Sequence, residues 1–108
     1  MRLGTIPRPG FRKGVFILSK EMDLLFNRIN EWHVDAFPGC TIDLIMDKVS
    51  EEYEELVEAV DHGNMAEISD EIADCFIVLV SASRILGIDI KKSVSDKFER
   101  VKRKYPTK

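Results

Sequence analysis

Apolar positions recur along this chain at spacings of three and four, the pattern of helices that bury one face. The first stripe is Met22, Leu25, Phe26, Ile29, Trp32, His33 and Ala36. It predicts a helix that starts near Ser19 and is stopped by Pro38-Gly39. Thr41 is placed to cap a second helix, with Asp43 in its first turn and Gly63 as its stop after His62. Asn64 and Glu67 form an Asn-x-x-Glu capping box for a third helix, which runs to about Leu86 before Gly87. Asp89 caps a fourth, whose stripe is Ile90, Val94, Phe98, Val101 and Tyr105, and Pro106 ends it. Strand-like alternation, internal repeats and low-complexity runs are absent. The expected fold is all-α, a four-helix bundle with short connections and antiparallel neighbours. Residues 1–18, with Pro7, Pro9 and three glycines, read as an irregular arm ahead of a single helical domain over residues 19–106.

Composition narrows the class. The chain has 108 residues, 44% of them hydrophobic and 32% charged. That suits one soluble domain with its own core. No apolar run reaches the ~20 residues of a membrane span, and the N-terminus lacks the apolar core of a signal peptide. Two cysteines, Cys40 and Cys75, give no disulfide framework, which points to the cytoplasm. They are also too few for a thiolate zinc site.

Charge is unevenly placed. Twelve of the nineteen acids fall within residues 43–74, beside one base, Lys48. Residues 1–20 hold five bases and no acid. Residues 97–108 hold six bases against Glu99. An acidic middle between basic ends suits a bound cation with an anionic ligand better than nucleic acid, which calls for a dominant basic face.

The densest acidic stretch is "DKVSEEYEELVEAVDHG", Asp47 to Gly63. On a wheel stepping about 100° per residue, Glu52 and Glu55 lie on the apolar side with Ile45, Leu56 and Ala59. Asp47, Glu54, Glu58 and Asp61 face water. Glu51 sits at the border. The third helix repeats the arrangement: Glu71 and Asp74 share a face with Cys75, Val78 and Ala82. Two acid pairs spaced (i, i+3) can therefore converge from facing helices. Inward carboxylates without a cation repel each other and lose hydration. A divalent ion removes both problems, and an all-oxygen ligand set favours Mg²⁺, or Mn²⁺, over zinc. The competing explanation is a solvated acidic surface on a helix pair. The Glu-x-x-His pairs of a di-iron bundle and the loop of an EF-hand are both missing.

"KVSEEYEEL" followed by "DEIADCFIVLVSASRILGIDI" resembles the MazG-like all-α nucleoside triphosphate pyrophosphohydrolases, whose signature is Glu-Glu-x-x-Glu, a gap, then Glu-x-x-Asp. The likeness covers roughly residues 20–106. It implies that Glu52, Glu55, Glu71 and Asp74 bind Mg²⁺, with Glu51 as an additional candidate. It implies a reaction from nucleoside triphosphate to monophosphate and pyrophosphate, in which Glu52 or Glu55 takes a proton from water. A homodimer or homotetramer, with sites near the subunit contacts, is implied as well.

Cations for the phosphates are expected from Lys48 and from Lys97, Arg100 and Lys104 on the fourth helix. The plainer explanation of the last three is a solvated basic helix end. The family commonly closes that helix with Lys-x-x-x-Asn-x-x-Arg-Tyr-Pro. Here Lys97 and Tyr105-Pro106 match, while Val101 and Lys104 replace the Asn and the Arg. Trp32 and His33 are the candidates to stack on a nucleobase, since family members use aromatics of the first helix near the base. The alternative for Trp32 is a core aromatic. Tyr53 reads as a packing residue and Cys75 as a small core residue. Two further functions stay open from sequence: a phosphoribosyl-ATP pyrophosphohydrolase, and a helical interaction module without catalysis.

Overall fold

The computed structural model describes residues 8–107, with side chains described from residue 20 onward. Four α-helices make up the described chain: α1 (Arg8–Ala36), α2 (Ile42–His62), α3 (Met65–Ile85) and α4 (Ile90–Lys104). No strand is present among the described residues.

The ends of α2, α3 and α4 follow from their capping residues. The Thr41 hydroxyl accepts from the Leu44 amide at 3.3 Å, occupying one of the free donors of the first turn of α2. Gly63 closes α2 at φ 74°, and its N–H reaches the carbonyls of Ala59 and Val60. Asn64 accepts from the Glu67 amide at 3.1 Å and starts α3. The other half of that expected capping box is not made. The Glu67 carboxylate instead meets His62 Nδ1 at 3.1 Å across the turn, because the tight connection brings the last side chain of α2 within its reach. Asp89 caps α4 through the Lys92 amide at 3.1 Å.

The first helix begins earlier than expected. The structure starts α1 at Arg8, not near Ser19. Pro9 falls in its first turn, where a missing N–H costs nothing because that donor has no helical acceptor. Much of the expected arm over residues 1–18 is thus helix, and residues 1–7 of it lie outside the described residues.

α2 and α3 form the central hairpin. Ile45, early in α2, packs with Val78 and Ala82, late in α3, and Val49 and Ile85 lie against them. This pairing of opposite ends makes the two helices antiparallel. Full burial of a side chain such as Ile45 contributes about 1.5–3 kcal/mol. α1 lies along α3, with the Phe26 and Phe76 rings 5.7 Å apart. α4 stands apart. It buries no residue, and its described ion pair to the rest of the chain joins Lys91 to Asp23 of α1.

Several positions expected inside are therefore outside in the single chain. Val94, Phe98, Val101 and Tyr105 are all exposed. Apolar surface of α3 is open as well, at Ile72 and Leu79. Tyr53, expected to pack, is 62% exposed because no helix among the described residues covers that side of α2. Among the described residues, no helix is long and apolar enough to cross a membrane.

Candidate active site

The buried residues of α2 are Ile45, Glu52 and Ala59, spaced seven apart along one seam. That spacing carries Glu52 inward with its apolar neighbours, and it is only 5% exposed. Glu55, one turn on, is half-buried beside it. From α3, Glu71 faces the same level. One carboxylate oxygen from each of Glu52, Glu55 and Glu71 lies within 4.8 Å of the other two. Glu52 Oε2 and Glu71 Oε2 are buried with no hydrogen-bond partner among the described residues.

Such a triad is unfavourable by itself. The Glu52 charge is the main cause that raises the Glu55 carboxyl above the ordinary carboxylate value. Burial raises Glu71, and the charges of Asp74 and Glu52 add to it. The described cation at hand is Lys48, whose Nζ is 3.0 Å from Glu52 and 3.3 Å from Glu51. The bond to Glu52 is the main reason its ammonium is held charged to higher pH than usual. One ammonium serves Glu52 and leaves Glu55 and Glu71 uncompensated. Oxygen donors alone, two of them orphaned and buried, fit a hard divalent cation such as Mg²⁺ or Mn²⁺.

The expected site residues divide into groups. Glu52, Glu55 and Glu71 are brought together. Asp74 stays outside that tight group; it lines the adjoining cleft with Glu52 and Lys48. Glu51 is exposed and paired with Lys48. Asp47, Glu54, Glu58 and Asp61 face water as expected. Lys97, Arg100 and Lys104 sit on exposed α4 and do not line the cleft. Within one chain they do not reach the acids, because α4 does not pack on the hairpin.

The cleft has a volume of about 1220 Å³ and runs from Glu52 and Asp74 between α1, α2 and α3. Trp32 lines it and is 53% exposed, so it is no core aromatic. His33, next to it, is buried. Phe37 was not singled out from sequence. Its ring stands edge-on to Trp32 at 5.7 Å and tilted to His33 at 5.3 Å. Its place just before Pro38-Gly39 hid it, since the helical stripe ends at Ala36. Cys75 is partly buried, and burial raises its thiol above the ordinary value, which keeps it protonated and unreactive.

These features define a class: an all-helical protein with a cluster of three glutamates beside an aromatic cleft. The family is shown by the match of residues 40–108 to the MazG nucleotide pyrophosphohydrolase domain. The chain belongs to that family, whose activity is hydrolysis of nucleotide pyrophosphate bonds and whose enzymes generally depend on a divalent metal. Among curated proteins and solved structures, nothing matches the chain.

Proposed function

We propose that this protein is a Mg²⁺-dependent pyrophosphohydrolase that converts (d)NTP to (d)NMP and pyrophosphate, serving nucleotide-pool house-cleaning in the cytoplasm. The observation that carries this is the convergence of Glu52, Glu55 and Glu71 within 4.8 Å, with two buried oxygens unpartnered. Glu52, Glu55 and Glu71 would hold the ion, with Asp74 beside them and Glu51 at the rim. When bound, a divalent ion neutralises phosphate charge and makes a bound water more acidic. Glu55 is the better placed of the two glutamates to accept the water proton. It is more accessible than Glu52 and is not tied to Lys48. The water oxygen attacks the α-phosphorus, the α–β bridging P–O bond breaks, and pyrophosphate leaves.

Lys48 lines the cleft and supplies a positive charge for the phosphates. Trp32 and Phe37 offer aromatic surface for the base. Lys97, Arg100 and Lys104 serve the phosphates only if α4 lies on a second copy's hairpin. We therefore propose a homodimer or homotetramer whose exposed α3 and α4 stripes face each other.

The test is a panel of NTPs, dNTPs and phosphoribosyl-ATP with Mg²⁺, read by pyrophosphate release. Turnover of at least one nucleotide, lost in Glu52→Ala, is expected. Mg²⁺ should also raise the melting temperature, since a ligand that binds only the folded state stabilises it. No turnover, together with equal Mg²⁺ response in wild type and Glu52→Ala, overturns the proposal.

A further inference from the structure

One wall residue of the cleft, His33, is backed by a residue that does not line it, Arg84, and the acid chemistry uses neither. His33 of α1 is 5% exposed, and Arg84 of α3 places Nη2 3.0 Å from its Nδ1. A guanidinium has only N–H donors. The direction of this bond is therefore fixed: Arg84 donates and Nδ1 accepts. An imidazole nitrogen that accepts carries no proton. The ring is then neutral, with its proton on Nε2 at the opposite edge. Arg84 has no carboxylate partner among the described residues, and its Nε is buried without a hydrogen bond. A half-buried cation with no counter-ion among the described residues opposes a second positive charge beside it. Burial, and then the Arg84 charge, accordingly hold His33 below its ordinary value.

We propose that Arg84 fixes His33 as a neutral Nε2–H donor, and that the cleft takes a nucleobase presenting a ring carbonyl to that donor. This rests on the nucleotide function proposed above. The cleft supplies the rest of the recognition. Trp32 and Phe37 provide apolar ring surface beside His33, and Lys48 and Glu52 mark the phosphate end. A carbonyl oxygen completes the donor. An exocyclic amino group would set donor against donor and leave both without partners. Hypoxanthine and adenine have nearly the same shape and differ in this feature at one edge. Arg84 is a positioning residue, acting on the ligand only through His33.

Long-range ¹H–¹⁵N spectra of the imidazole nitrogens test the first half in the ligand-free protein. The expected result for wild type at neutral pH is a neutral ring with its proton on Nε2. Arg84→Met should give mixed tautomers and a ring that takes up a proton at higher pH, and Arg84→Lys should restore part of the bias. A proton on Nδ1, or a charged ring, in wild type overturns the assignment without any variant. So does an Arg84→Met spectrum indistinguishable from wild type. The second half is tested by calorimetric binding of non-hydrolysable hypoxanthine and adenine triphosphate analogues. Wild type should prefer hypoxanthine by about tenfold, and both Arg84→Met and His33→Phe should lose that preference. Equal affinities overturn the carbonyl selectivity. Failure of both analogues to bind also overturns the carbonyl selectivity, while the nucleotide panel decides the function itself and the ring spectrum decides the Arg84 lock independently.

Discussion

Glu52 and Glu55 lie less than one helical turn apart yet differ in burial, and that difference separates the roles proposed for them. Glu52 is sealed in and held by Lys48, whereas Glu55 meets both its neighbours and water. Glu55→Gln should keep the fold and lower turnover by about 10²- to 10⁴-fold, the usual loss for a proton acceptor; single-turnover assays measure it. The inward turn of Glu52 and Glu55 was legible from the wheel, because both share a face with Ile45 and Ala59. The place of Asp74 outside the tight group was not. A wheel gives direction about the axis, and Glu71 and Asp74 differ by about 4.5 Å along it. Only the register of the hairpin decides which of them meets α2. Arg84 was also out of reach, since its partner His33 lies 51 positions away in sequence. His33 carries its own pH signature. Its folded-state value lies below the ordinary 6.5, so the unfolded chain binds more protons there. Stability therefore falls as pH drops through 6.5 toward the lowered value, then levels off. Urea midpoints at about pH 7.5 and 5.5 should differ less in His33→Gln than in wild type.

At the scale of elements, the sequence was most informative where a turn requires a particular side chain or backbone. Thr41, Asn64 and Asp89 cap helices where expected, because each cap is a local bond between a short polar side chain and an amide three residues on. Gly63 is fixed by its φ of 74°, which a β-carbon disfavours. A β-carbon added there would meet nothing within 4 Å. Gly63→Ala should therefore cost about 1 kcal/mol through backbone strain alone, measured as a shift in denaturant midpoint with an unchanged slope. The start of α1 was less legible, since Pro9 reads as a breaker until it is seen in a first turn.

For the whole molecule, the hairpin is the organised centre and α4 its unsatisfied edge. A stripe of Val94, Phe98, Val101 and Tyr105 announces a buried face in the sequence, but it does not say whether the partner is in the same chain. In the single chain that face is open, with Phe98 57% exposed. Sedimentation of the purified protein should give a species heavier than the 12.4 kDa chain, and Phe98→Asp should shift it toward monomer. The same substitution should weaken nucleotide binding if α4 brings Lys97, Arg100 and Lys104 to a neighbour's cleft.

The seven-residue seam of Ile45, Glu52 and Ala59 gives the site something like a reading frame. One extra alanine between Val49 and Ser50 leaves composition, charge and helix propensity almost untouched. It nevertheless turns everything after it by about 100° relative to Ile45. Either the core keeps its seat and Glu52 swings out of the triad, or the triad holds and Ile45 leaves the core. In the first case the insertion abolishes the Mg²⁺-dependent rise in melting temperature; in the second it lowers the melting temperature without Mg²⁺; in both the circular dichroism stays helical. This hairpin should tolerate changes of residue more readily than changes of count.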